Sequence, residues 1–101
     1  MGDIIINLDK PRKLVFDLNA MSAYEEVTGE SVFDLQSKAP SAKMFRALVW
    51  ASLLSEDENI TLKEVGKLIT PENMAEIQRK MDQTIIESTK TGEAPDESTK
   101  N

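Results

Sequence analysis

Neither cysteine nor histidine occurs anywhere in the 101 residues. Without cysteine there is no disulfide framework and no thiolate chemistry. Without histidine the Ser-His-Asp and Cys-His nucleophile systems are excluded, and with both missing so are the usual zinc constellations. An enzyme would have to run on carboxylates, Lys, Tyr or Ser alone, so the expectation is a non-enzyme without cofactor or metal. Long apolar runs are missing as well. Ile4-Ile5-Ile6 is far too short for a secretory h-region, and Ile6 stands where a myristoylation motif needs Ser or Thr. No segment approaches the ~20 apolar residues of a membrane span. A cytoplasmic protein is expected.

Positive charge is also in short supply. Twelve Lys and Arg face 18 Asp and Glu, giving a net charge of −6 and a pI near 4.6. The basic residues are scattered, so nucleic acid and anionic membrane are repelled. What is present suffices for one modest core: 40% hydrophobic residues in a chain of single-domain length, with 30% charged residues to solvate the surface. From Lys90 onward almost nothing could be buried. Residues 1–89 are therefore read as a single globular domain and 90–101 as a disordered polar tail.

Along the chain, Ile4 to Leu8 reads as a first strand and Asp9-Lys10-Pro11-Arg12 as a turn with Pro11 at its bend. Lys13 to Asp17 returns as a second strand, with Leu14, Phe16 and Leu18 alternating against Val15 and Asp17. Asn19 is placed to cap a helix whose inner side carries Ala20, Met21, Ala23, Tyr24 and Val27, and Gly29 to end it in a left-handed conformation. Ser31 to Leu35 suggests one helical turn pinned to the core by Val32, Phe33 and Leu35.

Ser41 then opens the strongest helix, running to about Ser55. Its apolar residues spread almost around the helical wheel, as expected of a helix that is either central in its domain or covered by a partner. Glu56-Asp57-Glu58-Asn59 breaks it. Thr61 with Glu64 forms a capping box for Leu62 to Ile69. Thr70 caps a last helix with Pro71 in its first position, reaching about Ser88 with a stripe of Met74, Ile77, Met81 and Ile85. The fold class read from this order is α+β, mostly α, an N-terminal two-stranded hairpin packed on about four helices.

Four features invite a chemical interpretation. Asp57 to Thr61 alternates oxygen-bearing side chains like a calcium loop, but Leu62 and Leu68 occupy the positions that need glycine and a bidentate Glu. Thr61 to Met81 resembles a helix-turn-helix. Its second helix, however, begins Pro71-Glu72-Asn73-Met74-Ala75-Glu76, with two carboxylates where phosphates would lie. A small DNA-binding regulator is thus the alternative function. Glu25 and Glu26 are adjacent, about a hundred degrees apart on a helix, and make no acid/base pair. Trp50, the only Trp, falls between Lys43 and Arg46 on the wheel. Such a Trp suits a partner anchor or a half-buried core residue with a cation–π neighbour. Met74 and Met81 pose the same choice between partner surface and core.

Three blocks, in order, resemble the tail assembly chaperones of long-tailed bacteriophages and prophages. They are Phe16-Asp17-Leu18-Asn19-Ala20-Met21 to Thr28-Gly29 with Ser31, Val32 and Phe33; Arg46-Ala47-Leu48-Val49-Trp50-Ala51 to Leu54 with Glu56-Asp57; and Leu62, Glu64-Val65-Gly66, Leu68-Ile69. Together they cover roughly residues 14–70. The resemblance implies a non-enzymatic protein of virion morphogenesis. It would bind the tape-measure protein, keep it soluble, help recruit tail-tube subunits, and be absent from the mature particle. It transfers no residue roles. The candidate partner-binding residues Trp50, Arg46, Lys43, Met74 and Met81 rest on their side chains alone, and homo-oligomer formation stays open.

Overall fold

The computed structural model describes residues 3–37, 39 and 41–93. Strands β1 (Ile4–Asn7) and β2 (Pro11–Leu14) pair antiparallel, Ile4 opposite Leu14 and Ile6 opposite Arg12. Four helices follow: α1 (Leu18–Thr28), α2 (Ala42–Leu53), α3 (Leu62–Leu68) and α4 (Met74–Glu93). A 3₁₀ segment, Val32–Ser37, lies between α1 and α2. The fold is α+β and mostly α, with the hairpin packed against α2 and α4.

The hairpin turns earlier than its sequence suggests. Its loop is Leu8 to Lys10, where the Leu8 N–H donates to the Lys10 carbonyl at 3.1 Å, and Pro11 already belongs to β2. Lys13 and Val15 explain why proline is harmless there. Their N–H groups point away from β1, to the Glu56 carboxylate at 3.3 Å and to the Ser52 carbonyl at 2.9 Å. Pro11 has the same parity, so the ladder loses no donor. The bond from Val15 to α2 also ends β2 at Leu14 instead of Asp17. Alternation still buries Phe16, but Leu18 is 77% exposed because it has become the first residue of α1.

Asp17, not Asn19, caps that helix. Its backbone is extended and its carboxylate accepts from the Ala20 N–H at 2.9 Å. Gly29 ends α1 at φ 74° as expected, its N–H reaching the Glu25 carbonyl. The Glu25 carboxylate then accepts the Val32 N–H at 2.9 Å and so anchors the 3₁₀ segment. In that segment Val32 and Leu35 pack on the core, but Phe33 is 86% exposed, contrary to its expected place inside. With three residues per turn, positions i and i+3 share a face, and Phe33 stands a third of a turn away.

Helix α2 is central, touching α1, α3, α4 and β2. The Ser41 hydroxyl caps it by accepting from the Met44 N–H at 3.1 Å. Ala47, Leu48, Val49, Ala51 and Leu53 are buried, and Ser52 joins them by donating its hydroxyl to the Leu48 carbonyl. Helix α3 has both halves of the expected capping box between Thr61 and Glu64. Helix α4 starts at Met74, three residues later than expected, after a turn at 71–73. There Asn73 accepts the Thr70 N–H and donates to the Leu68 carbonyl, a clasp that holds the turn ahead of the helix. Its stripe divides: Ile77 and Met81 are buried, Ile85 is half-buried and Met74 is 43% exposed. The helix continues past Ser88 to Glu93, and the rest of the expected tail, 94–101, lies outside the described residues.

Candidate functional site

Between α2 and α4 runs an open groove of about 380 Å³. Leu48 and Met81 lie at its base, Met44 and Phe45 form the α2 wall, and Ile85 and Ile86 form the α4 wall. Leu35 of the 3₁₀ segment closes one side, and Ser41, Gln78 and Asp82 supply the polar edge. Local spacing produces this arrangement. Met44, Phe45 and Leu48 recur at the three- and four-residue intervals that align on one face of α2, as do Gln78, Met81, Asp82 and Ile85 on α4. The buried Ser52 hydroxyl, 3.6 Å from the Met81 sulfur, packs the base. Ile86 is the most open wall residue, 58% exposed.

The candidate partner residues divide between two surfaces. Met81 lies in the groove, and Met74 is on the same helix two turns before it, though it does not line the groove. Trp50, Arg46 and Lys43 are on the other side of α2. Trp50 is half-buried, and its indole N–H donates to the Ile60 carbonyl at 2.9 Å, tying α2 to the segment before α3. Arg46 is solvent-exposed but lies across α3: a Cβ on Gly66 would come within 3.3 Å of its Cδ. Lys43 is exposed.

A second cluster went unread in the sequence. Arg12 is 7% exposed on the core-facing side of the hairpin, and its Nε and Nη2 hold both Asp9 carboxylate oxygens at 2.8 and 3.0 Å. Its Nη1 reaches Asp57 Oδ2 at 3.4 Å, while Asp57 Oδ1 accepts the Asn59 N–H. The Arg12 hydrogen bonds hold the Asp9 carboxyl down to about 2, and the two carboxylates raise the Arg12 pKa. Asp57, first residue of the calcium-like segment, is thus occupied as a structural acceptor. The signal for this cluster was strand parity: Arg12 shares a face with Leu14, which is visible once the turn is placed at Leu8–Lys10.

Among the described residues no group of three or more carboxylates is disposed to hold a metal ion, and no helix is long and apolar enough to cross a membrane. The arrangement offers an apolar cleft with a polar edge, suited to non-covalent binding. Comparison with family models, with curated proteins and with solved structures finds no match to this chain.

Proposed function

We propose that this protein is a phage tail assembly chaperone that holds an apolar helical segment of the tape-measure protein in the α2/α4 groove. On this view it keeps the tape-measure protein soluble, helps recruit tail-tube subunits around it, and is left out of the finished particle. The observation that carries the proposal is the groove itself: two packed helices leave Ile86 exposed and Met44, Phe45 and Ile85 only half-buried along one cleft. Exposed apolar residues gathered in a cleft mark interaction sites, and a cleft between helices accepts another amphipathic helix. The ordered resemblance over residues 14–70 supplies the identity of the client. A net charge of −6 would keep the complex soluble while an aggregation-prone client is held. The helix-turn-helix alternative draws less support, because α4 directs Ile77 and Met81 into its own core and opens with Glu76.

The test is co-expression with the tape-measure protein of the same phage or prophage, comparing wild type with Met44→Asp and Trp50→Phe. Circular dichroism first establishes that each variant folds. The client should stay soluble with wild type and with Trp50→Phe, and precipitate with a folded Met44→Asp. A client protected equally by all three proteins places its binding elsewhere. A client protected by none refutes the chaperone function.

A further inference from the structure

From the charge of the groove we infer the chemistry of its occupant: an amphipathic helix with a basic flank, seated with its cations toward Asp82. The inference rests on the helix-binding function proposed above and adds what that function leaves open, the property that selects one helix over another.

The dimensions call for a short helical contact. Along α4 the lining runs from Gln78 to Ile86 and along α2 from Ser41 to Leu48, each about 10–12 Å at 1.5 Å per residue. That length matches about two turns of a docked helix. Apolar anchors at i, i+4 and i+7 would then sit over Leu48 and Met81 and between Met44 and Ile86.

Among the described residues that line the cleft, Asp82 is the one charged side chain. It is exposed and makes no ion pair or hydrogen bond with the side chains of the described residues. Several acids elsewhere are engaged, Asp9 and Asp57 by Arg12, Glu76 by Lys80 and Glu64 within its capping box, whereas among the described residues Asp82 stands unpaired beside the cleft. An uncompensated carboxylate beside an apolar cleft attracts Lys or Arg and repels Glu or Asp, and the net charge of −6 adds to the selection at longer range.

Other occupants fit less well. A second copy would bring another −6 to the same cleft. The chain beyond Glu93 reads Ala94-Pro95-Asp96-Glu97-Ser98-Thr99-Lys100-Asn101, with no large apolar side chain to fill it.

The experiment uses fluorescence anisotropy on the full chain with two labelled helix-forming peptides. Both carry Leu at i, i+4 and i+7; one has Lys at the flanking positions and its twin has Glu. Wild type should bind the Lys peptide at least tenfold more tightly than the Glu peptide, with the difference shrinking as salt is added. Asp82→Lys should reduce the preference below threefold, and Ile86→Ser should weaken the Lys peptide at least fivefold while the circular dichroism spectrum is retained. Equal binding of the twins, an unchanged preference in Asp82→Lys, or failure of both peptides to bind wild type overturns the inference. So does a dimer in sedimentation that the Lys peptide does not dissociate. The two proposals fail separately. A protected client with indifferent peptides removes the charge selection alone. Charge-selective peptide binding with an unprotected client removes the tail-assembly function alone.

Discussion

Arg12 of β2 holds Asp9 of the hairpin loop with two hydrogen bonds, 2.8 and 3.0 Å, made from a guanidinium that is almost fully buried. Only Lys10 and Pro11 lie between them, so the fork–fork pair pins the loop to the start of β2. The remaining Arg12 nitrogen then turns to Asp57, joining the hairpin to the turn between α2 and α3. Arginine suits this position because its planar donors can serve two carboxylates at once.

That pair makes stability fall in acid. The folded pKa of Asp9 is about 2, below the roughly 3.9 of a free aspartate. A depressed carboxyl pKa contributes stability that is fully present above the unfolded value and lost as pH falls through the folded one. Wild type should therefore lose stability relative to Asp9→Asn between about pH 4 and pH 2, read as urea midpoints at the two ends of that interval. Parallel midpoints would show that the pair contributes nothing.

Asp17 and Asn19 are two candidate caps two residues apart, and only Asp17 accepts from the Ala20 N–H. Asp17→Ala should cost about 1 kcal/mol, whereas Asn19→Ala should be close to neutral. Chemical denaturation of both variants decides, and an equal loss in the two would contradict the cap.

Gly66 sits inside α3, where alanine is better than glycine by about 1 kcal/mol. The added methyl would meet Arg46 Cδ at 3.3 Å, and Arg46 is an exposed side chain with room to swing aside. Gly66→Ala should gain less than about 1 kcal/mol alone and close to the full amount in an Arg46→Ala background. Destabilisation in both backgrounds would mean that the helix backbone, not Arg46, sets the limit.

Trp50→Phe deletes the indole N–H and leaves the Ile60 carbonyl without that donor. A loss of about 1 kcal/mol is expected, with client binding unchanged because Trp50 lies outside the groove. Wild-type stability combined with impaired binding would instead make Trp50 a contact residue.

Features that depend on a few neighbouring residues were legible in the chain. The Thr61–Glu64 box, the Ser41 cap and the Gly29 stop each close hydrogen bonds within four residues, so residue type at a short spacing suffices to read them. The central place of α2 was legible too, because apolar residues around most of a helix demand cover on most sides. Misplacements arose where two local solutions competed. Asp17 and Asn19 are both good caps, and the choice followed from where Val15 left the strand to bond Ser52. Phe33 looks like a core residue at the α-helical period and is an exposed one at the 3₁₀ period.

The groove belongs to tertiary structure. Its walls lie more than thirty residues apart in the chain, and nothing local tells Met81, buried at its base, from Met74 of the same stripe, left 43% exposed. The same holds for Arg12: its inward face follows from strand parity, but its second partner, Asp57, is brought to it only when α2 packs on the hairpin. The sequence by itself determined composition, periodicity and caps, because these are satisfied within one or two turns of the chain. Which apolar side chains are covered and which stay open was decided by helix packing, since burial depends on surfaces that meet only after the chain has folded.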